Sequence, residues 1–264
     1  MLQIKITIIL FLFSFVCAFS QTDSTIIFDF NTGEIKEKNN RITPKAIGVS
    51  LVKDRFGNEQ SAAYLHGNPS SYLNLGTSSL LKPIYGSISI WVNLDRHIYA
   101  GKGSEANPII STKNGIQDDF NYAYNLSYDF KSKRLFAISH KDSTQEINIR
   151  SENEFLFNNW YHLVFTFNSS QFAFYINGKL QQTASKQFSL NYLTGDSVII
   201  GNSASKKNDR YSQGTFDDIQ FFHHALSPSE VLELYEAPNP NKTKQFIIES
   251  TKYIAIVIIF ILII

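Results

Sequence analysis

The sequence predicts an all-β fold, a sandwich of two antiparallel sheets followed by one short C-terminal helix. Apolar and polar residues alternate along many short segments between Thr25 and Phe222, as they do in strands that bury one face. The chain has 22 Phe and 13 Tyr but one Met, and aromatic residues favour strands. Turn residues separate these segments at short intervals, which is typical of sandwiches and barrels.

Three segments show the alternation most clearly: 87–95, 160–168 and 171–178. In the first, Ile88, Ile90 and Val92 point one way, while Ser89 and Trp91 point the other way. The turn Asn177-Gly178 predicts a hairpin, because both residues tolerate positive φ. We predict further strands over 25–30, 61–66, 72–75, 107–112, 120–128, 133–139, 145–150, 180–188, 197–201 and 214–222.

A helix is predicted over 228–236. Ser227, Pro228 and Glu230 supply a helix cap, a proline in the first turn and the acidic partner of a capping box. We expect this helix to lie over one end of the sandwich and to seal a sheet edge. The prolines and asparagines that follow predict an extended linker over 238–252.

The two ends of the chain are predicted to lie outside the folded domain, which covers 21–237. Residues 1–20 have the pattern of a secretory signal peptide, with Lys5, an apolar run and a small-x-small site at 18–20; a buried helix is the alternative. Residues 253–264 are apolar throughout and are interpreted as the start of a transmembrane segment. A helix of that length covers only about 18 Å of a bilayer core of about 30 Å, and a buried terminal strand or helix is the alternative.

Charge and cysteine content exclude several classes of protein. The formal net charge is +1. The chain therefore lacks the excess of basic residues that would indicate nucleic-acid binding. The chain has one Cys, Cys17, which lies in the predicted signal peptide. A disulfide framework and a cysteine-based zinc site are therefore excluded.

Five segments, in order, resemble the laminin-G-like domains of the concanavalin A-like lectin/glucanase superfamily. They are KDRFGNEQSAAYLHGNPSSYLNLG at 53–76, SISIWVNLD at 87–95, NNWYHLVFTFN at 158–168, FAFYINGKLQQ at 172–182 and GTFDDIQFFHHALSPSEVLELY at 214–235. The resemblance implies a lectin-like jelly-roll sandwich and says little about the ligand. Trp91, Trp160 and Tyr175 are interpreted as packing residues.

The resemblance also sets expectations about catalysis and metal binding. Sugar-cleaving relatives use paired carboxylates in an E-x-D-x-x-E or E-x-D-x-E pattern, which is absent here; Glu152, Glu154 and the pair Asp217-Asp218 are the nearest candidates. We therefore expect no enzymatic activity. Because family members often bind Ca²⁺ through acidic loop positions, Asp217 and Asp218 are the candidate calcium ligands.

A ligand site is expected on loops at the rim of the sandwich or on its concave face. The candidate ligand-binding residues combine aromatic and polar types that suit sugars: Asp209, Tyr211, Asn202, Tyr99 and Asp119. The sequence therefore predicts a periplasmic or cell-surface, membrane-anchored domain that binds a glycan or another extracellular polymer. The alternatives are an ectodomain of a larger sensor or adhesion protein that contacts other proteins, and a structural spacer.

Overall fold

The computed structural model describes residues 25–96, 106–113, 122–141, 145–185, 188–202, 210–242, 246–248 and 250–254. Their strands form two antiparallel sheets stacked as a sandwich, as predicted. The eight-stranded sheet contains β1 (Ile26–Phe28), β3 (Val49–Val52), β4 (Ala62–His66), β6 (Gly86–Leu94), β11 (Tyr161–Phe167), β12 (Gln171–Ile176), β13 (Lys179–Ser185) and β15 (Gln213–Phe222). The seven-stranded sheet contains β2 (Lys45–Ile47), β5 (Tyr72–Gly76), β7 (Ala106–Lys113), β8 (Asn125–Asp129), β9 (Arg134–His140), β10 (Glu146–Arg150) and β14 (Ser197–Ile200).

Strands distant in sequence lie side by side in both sheets. The order in the larger sheet is β13-β12-β11-β6-β15-β4-β3, with β1 paired to β15, and the order in the smaller sheet is β10-β9-β8-β7-β14-β5-β2. The closing strand β15 therefore lies against β6, β4 and β1. This placement brings the end of the domain next to residues that come more than a hundred positions earlier.

The main core lies between the sheets and is rich in phenylalanine. The predicted apolar faces point into it, because side chains along a strand alternate between its two sides. Fully buried members include Ile88, Ile90, Phe165, Phe174 and Phe216. Burial of each such side chain contributes about 1.5–3 kcal/mol relative to exposure, so this face holds the two sheets together.

Two short strands were not predicted. Strands β2 and β3 are separated only by Gly48, which has a φ of +52°. A Cβ at this glycine would lie 2.0 Å from the carbonyl oxygen of Ser70. The close approach requires glycine, and the chain crosses from one sheet to the other here. Both strands are too short, and too evenly exposed along their length, to show alternation in the sequence.

The helix α1 (Pro228–Glu236) has the predicted bounds and the predicted capping box. It lies on the outer face of the eight-stranded sheet and contacts the edge strand β13, so the expectation that it seals a sheet edge stays a prediction. Val231 packs there in a second apolar cluster with Val164, Tyr175 and Phe222, which point away from the main core. A strand with apolar side chains on both faces must pack against another layer of secondary structure on each face.

The segment after α1 is helical where it is described. Residues 240–242, 246–248 and 250–254 are in helix, so the extended conformation predicted for the linker is wrong for these residues. The Asn239 side chain accepts a hydrogen bond from the amide of Asn241 at 2.9 Å, with Pro240 between them. Asparagine is a favourable N-cap residue and proline is favourable at the first helical position. The same residues that can end one helix can therefore begin the next.

The predictions for the chain ends fall largely outside the described residues. Residues 1–24 and 255–264 are not among them. Over the residues that are described, no helix combines the length and apolar character needed to cross a membrane.

Candidate functional site

The outer face of the eight-stranded sheet carries a row of aromatic side chains. Trp91 points away from the main core, since its neighbours Ile90 and Val92 point into it. Its partner on the next strand is His162, and the two rings stack with centroids 5.0 Å apart. Tyr235, near the end of α1, stacks on Trp91 at 5.7 Å. The helix and the sheet thus place three nearly parallel rings together.

Arg55 lies over this row from the turn between β3 and β4. Its guanidinium carbon is 4.3 Å from the centroid of the Trp91 ring and 4.3 Å from that of Phe56. Its Nη1 donates to Asp218 Oδ2 at 2.6 Å and to Asp217 Oδ2 at 3.2 Å. Asp54 orients the turn by accepting from the backbone amides of Phe56 and Asn58, both at 2.8 Å. The arginine therefore combines cation–π contact with two buried ion pairs.

The electrostatics of this cluster follow from its burial. The side chains of Arg55 and Asp217 are 7% and 2% exposed. Burial and the neighbouring Asp218 carboxylate raise the pKa of Asp217 well above its ordinary value, and Arg55 opposes that rise. Burial also lowers the pKa of His162 to about 3, with Arg55 adding to the effect. At neutral pH the imidazole is therefore uncharged, and its Nε2 is hydrogen-bonded to Ser89 Oγ at 2.8 Å.

An open cavity of about 480 Å³ adjoins these side chains. We call it the aromatic cavity, and its lining includes Arg55, Phe56, Trp91, Trp160, Tyr235 and Glu236, together with Ala237 and Pro238. Trp160 is half-buried, so part of its indole faces the open space. Ring surfaces beside one carboxylate and one guanidinium can stack on a planar ligand and bind its polar groups.

A second cavity of about 360 Å³ borders the first. We call it the polar cavity, and its lining includes Asn153, Glu154, Tyr161, Asn177, Lys179, Gln181 and Tyr235, with Leu135, Ser151, Phe155 and Ile176. Tyr235 lines both cavities. The predicted Asn177-Gly178 turn lies next to Tyr235, and its two residues have φ values of +50° and +75°. A Cβ on Gly178 would lie 3.0 Å from a methyl of Leu232, so glycine lets the helix approach the turn.

The residues predicted for ligand binding occupy another part of the fold. Asn202 and Tyr211 come together in an antiparallel bridge between the end of β14 and the start of β15. Tyr211 is 7% exposed, and the Asn202 carbonyl accepts from Ser111 Oγ at 3.3 Å. Neither residue lines the two cavities. Tyr99, Asp119 and Asp209 lie outside the described residues.

The described strands on either side of the undescribed segments end at two sides of the sandwich. The strands flanking 97–105 and 203–209 end near one another, since Leu94 pairs with Gly214 and Ile110 pairs with Ile200. The strands flanking 114–121 end at the opposite side of the sandwich, where Lys113 pairs with Ser197.

The predicted calcium ligands are both directed at Arg55. A calcium ion takes six to eight oxygen ligands, so an ion at Asp217 and Asp218 would have to displace the guanidinium. Within the described parts of the chain, no group of three or more His, Cys, Asp or Glu side chains is arranged to hold a metal ion. Calcium binding at these two residues stays a prediction.

Only some of the residues around the aromatic cavity can be predicted from the sequence. The sequence assigns Trp91 and Trp160 to packing, and Trp91 is indeed buried against His162 and Tyr235, but both tryptophans also line the cavity. The alternation within β6 does show that Trp91 lies opposite the apolar face. Arg55, Phe56, Tyr235 and Glu236 were not predicted as site residues, because only the topology brings the β3–β4 turn to the end of α1.

Comparisons with known proteins agree with the observed architecture. A family model described as the concanavalin A-like lectin/glucanases superfamily matches residues 66–232. A search of curated protein sequences gave no match. Among solved structures, domain 4 of AbnA, an extracellular arabinanase of Geobacillus stearothermophilus, in complex with arabinotriose, superposes with a TM-score of 0.60 and 16% identity, over 80% of this chain and 97% of that domain.

Two toxin binding domains are similar over about half of their own length. The binding domain of Paraclostridial Mosquitocidal Protein 1 has a TM-score of 0.61 and 17% identity, over 82% of this chain and 53% of that one. The binding domain of Botulinum Neurotoxin DC, in complex with SialylT, has a TM-score of 0.62 and 14% identity, over 81% and 51%. At these identities the likeness shows the fold alone. With the family model covering more than half of its residues, the chain belongs to the concanavalin A-like lectin/glucanase superfamily.

Proposed function

We propose that this domain binds a glycan at the aromatic cavity and does so without catalysis. The observation that supports the proposal is the grouping of Trp91, Trp160, Phe56 and Tyr235 around one open space, beside the charged side chains Arg55 and Glu236. Sugars present an apolar C–H face for stacking on rings and hydroxyls that pair with charged and amide groups. The cavity provides both kinds of contact.

We propose that the domain is not catalytic because of how the carboxylates near the two cavities are paired. Arg55 forms ion pairs with both Asp217 and Asp218, and Asp217 also accepts a hydrogen bond from the Asp218 amide at 2.8 Å. Glu154 forms an ion pair with Lys133 at 3.7 Å. A retaining glycosidase needs two carboxylates about 5–5.5 Å apart, one of them poised as an acid. Asp217, Asp218 and Glu154 are instead held by cations, which leaves Glu236 as the one unpaired carboxylate among the described residues that line the aromatic cavity.

The test begins with a glycan array probed with the full chain, followed by titration of the glycans that bind. Trp160→Ala removes a half-buried ring from the cavity and leaves the main core intact, so we expect at least a ten-fold loss of affinity. Tyr72→Ala is the matched control, because Tyr72 is a half-buried ring on the other sheet. Equal affinities of the wild-type chain and Trp160→Ala would contradict the assignment of the site.

Two further measurements address the remaining parts of the proposal. Bound glycans incubated with the protein should yield no new reducing ends, whereas release of sugar would contradict a non-catalytic role. A calcium ion at Asp217 and Asp218 would raise the melting temperature in millimolar calcium relative to chelator. No shift would count against that ion.

We also place the domain outside the cytoplasm, in the periplasm or at the cell surface, with a membrane anchor at its C-terminus. The support is sequence alone: the signal-peptide pattern of residues 1–20 and the apolar segment 253–264.

A further inference from the structure

We propose that the aromatic and polar cavities form one binding path across Tyr235, which takes an internal stretch of an uncharged linear glycan. This inference rests on the proposed glycan binding and adds the length and charge of the ligand. It depends on three observations: the shared tyrosine, the pairing of charges in the two linings, and the volumes of the cavities.

Tyr235 is held from two sides at the boundary of the cavities. Its ring stacks on Trp91 at 5.7 Å, and the position of a Cβ on Gly178 lies 3.3 Å from its Cδ1. The capped helix fixes its backbone. Among the described residues, its hydroxyl has no hydrogen-bond partner, although the ring contacts are extensive. A fixed ring with a free hydroxyl can stack on one sugar unit and bind a hydroxyl of the next.

The charges around the path cancel. Among the described residues, Arg55 is the one cation in the lining of the aromatic cavity, and it is already paired with Asp217 and Asp218. The other charged residue of that lining, Glu236, is exposed. In the aromatic cavity, an acidic sugar would meet these carboxylates with no unpaired cation among the described lining residues to offset them, and like charges at short range are repulsive.

The polar cavity offers mainly uncharged hydrogen-bonding groups. Its lining contains the amide side chains of Asn153, Asn177 and Gln181. The same lining holds one cation, Lys179, and one carboxylate, Glu154, so its formal charge is zero, and Glu154 also lies 3.7 Å from Lys133 outside the lining. Amides donate and accept hydrogen bonds, as sugar hydroxyls do. The polar cavity therefore suits a neutral sugar that continues from the aromatic cavity.

The cavity volumes indicate a ligand of several units. Volumes of about 480 and 360 Å³ each fall within the lower half of the range of about 300–1,000 Å³ that is usual for small-molecule sites. A ligand that fills both must pass over Tyr235. An internal part of a linear chain meets this requirement, whereas a single terminal sugar occupies one cavity.

The experiment measures affinity against chain length by titration of the full protein. The probes are arabino-, xylo- and cello-oligosaccharides from the monosaccharide to the hexasaccharide, with sialyllactose and oligogalacturonates as acidic probes. We expect at least a ten-fold gain in affinity along one neutral series and weaker binding of the acidic probes.

Variants separate the two cavities. Asn153→Ala alters an exposed side chain of the polar cavity and should weaken binding of the hexasaccharide at least five-fold, with no change for the shortest sugar that binds. Tyr235→Phe keeps the ring and should also weaken only the longer sugars. Asn191→Ala, an exposed amide outside both cavities, is the matched control. Trp160→Ala should weaken binding at every length.

The outcomes distinguish this inference from the function on which it rests. Affinity that does not change with chain length, or that favours the acidic probes, overturns the inference and leaves glycan binding intact. Loss of short-sugar binding in Asn153→Ala also overturns it. Failure of every neutral and acidic probe contradicts glycan binding itself.

Discussion

Arg55 joins three parts of the chain that are far apart in sequence. Its turn lies between β3 and β4, its ion-pair partners are on β15, and its ring partner Trp91 is on β6. The bulge in β15 after Asp217 gives Asp218 a φ of +44° and places both carboxyls within reach of one guanidinium. The same side chain also lines the aromatic cavity. Stability and the shape of the site therefore depend on one residue.

Removing the cation should be strongly destabilising. Arg55→Ala leaves two buried carboxyls without their partner, and we expect a loss of about 3 kcal/mol in the free energy of unfolding at neutral pH. Adding Asp217→Asn and Asp218→Asn to that variant should recover part of the loss, because neutral amides need no counter-charge. Urea denaturation of the wild-type chain, Arg55→Ala and the triple variant measures this, and an unchanged midpoint for Arg55→Ala would contradict it.

His162 makes stability dependent on pH. Its folded-state pKa is about 3, below the value of about 6.5 in the unfolded chain, so the unfolded state takes up the proton first as the pH falls. This group therefore supports folding above pH 6.5, and its contribution is lost as the pH falls toward 3. Between pH 6.5 and 5 the expected loss is about 1.5 kcal/mol.

His162→Gln isolates this effect, because other titrating groups remain in both proteins. Its free energy of unfolding should fall less than that of the wild-type chain over the same interval. Parallel pH profiles for the two proteins, measured by urea denaturation, would show that His162 does not titrate as described.

At the scale of elements, helix α1 has two roles. Its buried residue Val231 covers outward-facing apolar side chains of β11, β12 and β15, and its last turn carries Tyr235 and Glu236 into the aromatic cavity. The capping box sets where the helix starts: Ser227 Oγ accepts from the Glu230 amide at 3.3 Å, and the Ser227 amide donates to Glu230 Oε2 at 2.7 Å. The position of the site thus depends on the helix start.

Ser227→Ala should cost about 1 kcal/mol of stability, the usual value of a lost helix cap. Thermal and urea denaturation measure the loss. Glu233→Ala is the control, since it changes an exposed side chain in the middle of the same helix and should leave stability within about 0.5 kcal/mol of wild type. If both variants unfold together with wild type, the cap does not stabilise the helix.

At the scale of the whole molecule, two sheets and one helix form three layers. The main core lies between the sheets, and the smaller cluster lies between the eight-stranded sheet and α1. Asn202 and Tyr211 form their bridge between the end of β14 and the start of β15. Neither residue lines the cavities beside α1. A ligand bound in the cavities beside α1 would therefore not contact this bridge.

Placement in the cell is tested on the whole chain. If the predicted ends are used as proposed, the mature protein begins at Gln21 and stays with the membrane fraction after carbonate extraction. N-terminal sequencing and fractionation measure both. Release by carbonate or high salt without detergent would contradict the anchor, and an intact N-terminus would contradict the signal peptide.

Local sequence patterns determined much of this fold. Alternation placed Ile88, Ile90 and Phe165 in the core, the Asn177-Gly178 turn predicted its hairpin, and the capping box gave the bounds of α1, because strand, turn and cap preferences act over a few neighbouring residues. Only the tertiary structure decided that α1 covers a sheet face and that Arg55 meets Trp91 and Asp218. These contacts join residues up to 163 positions apart, and pairing between distant strands leaves no periodic trace in a single sequence.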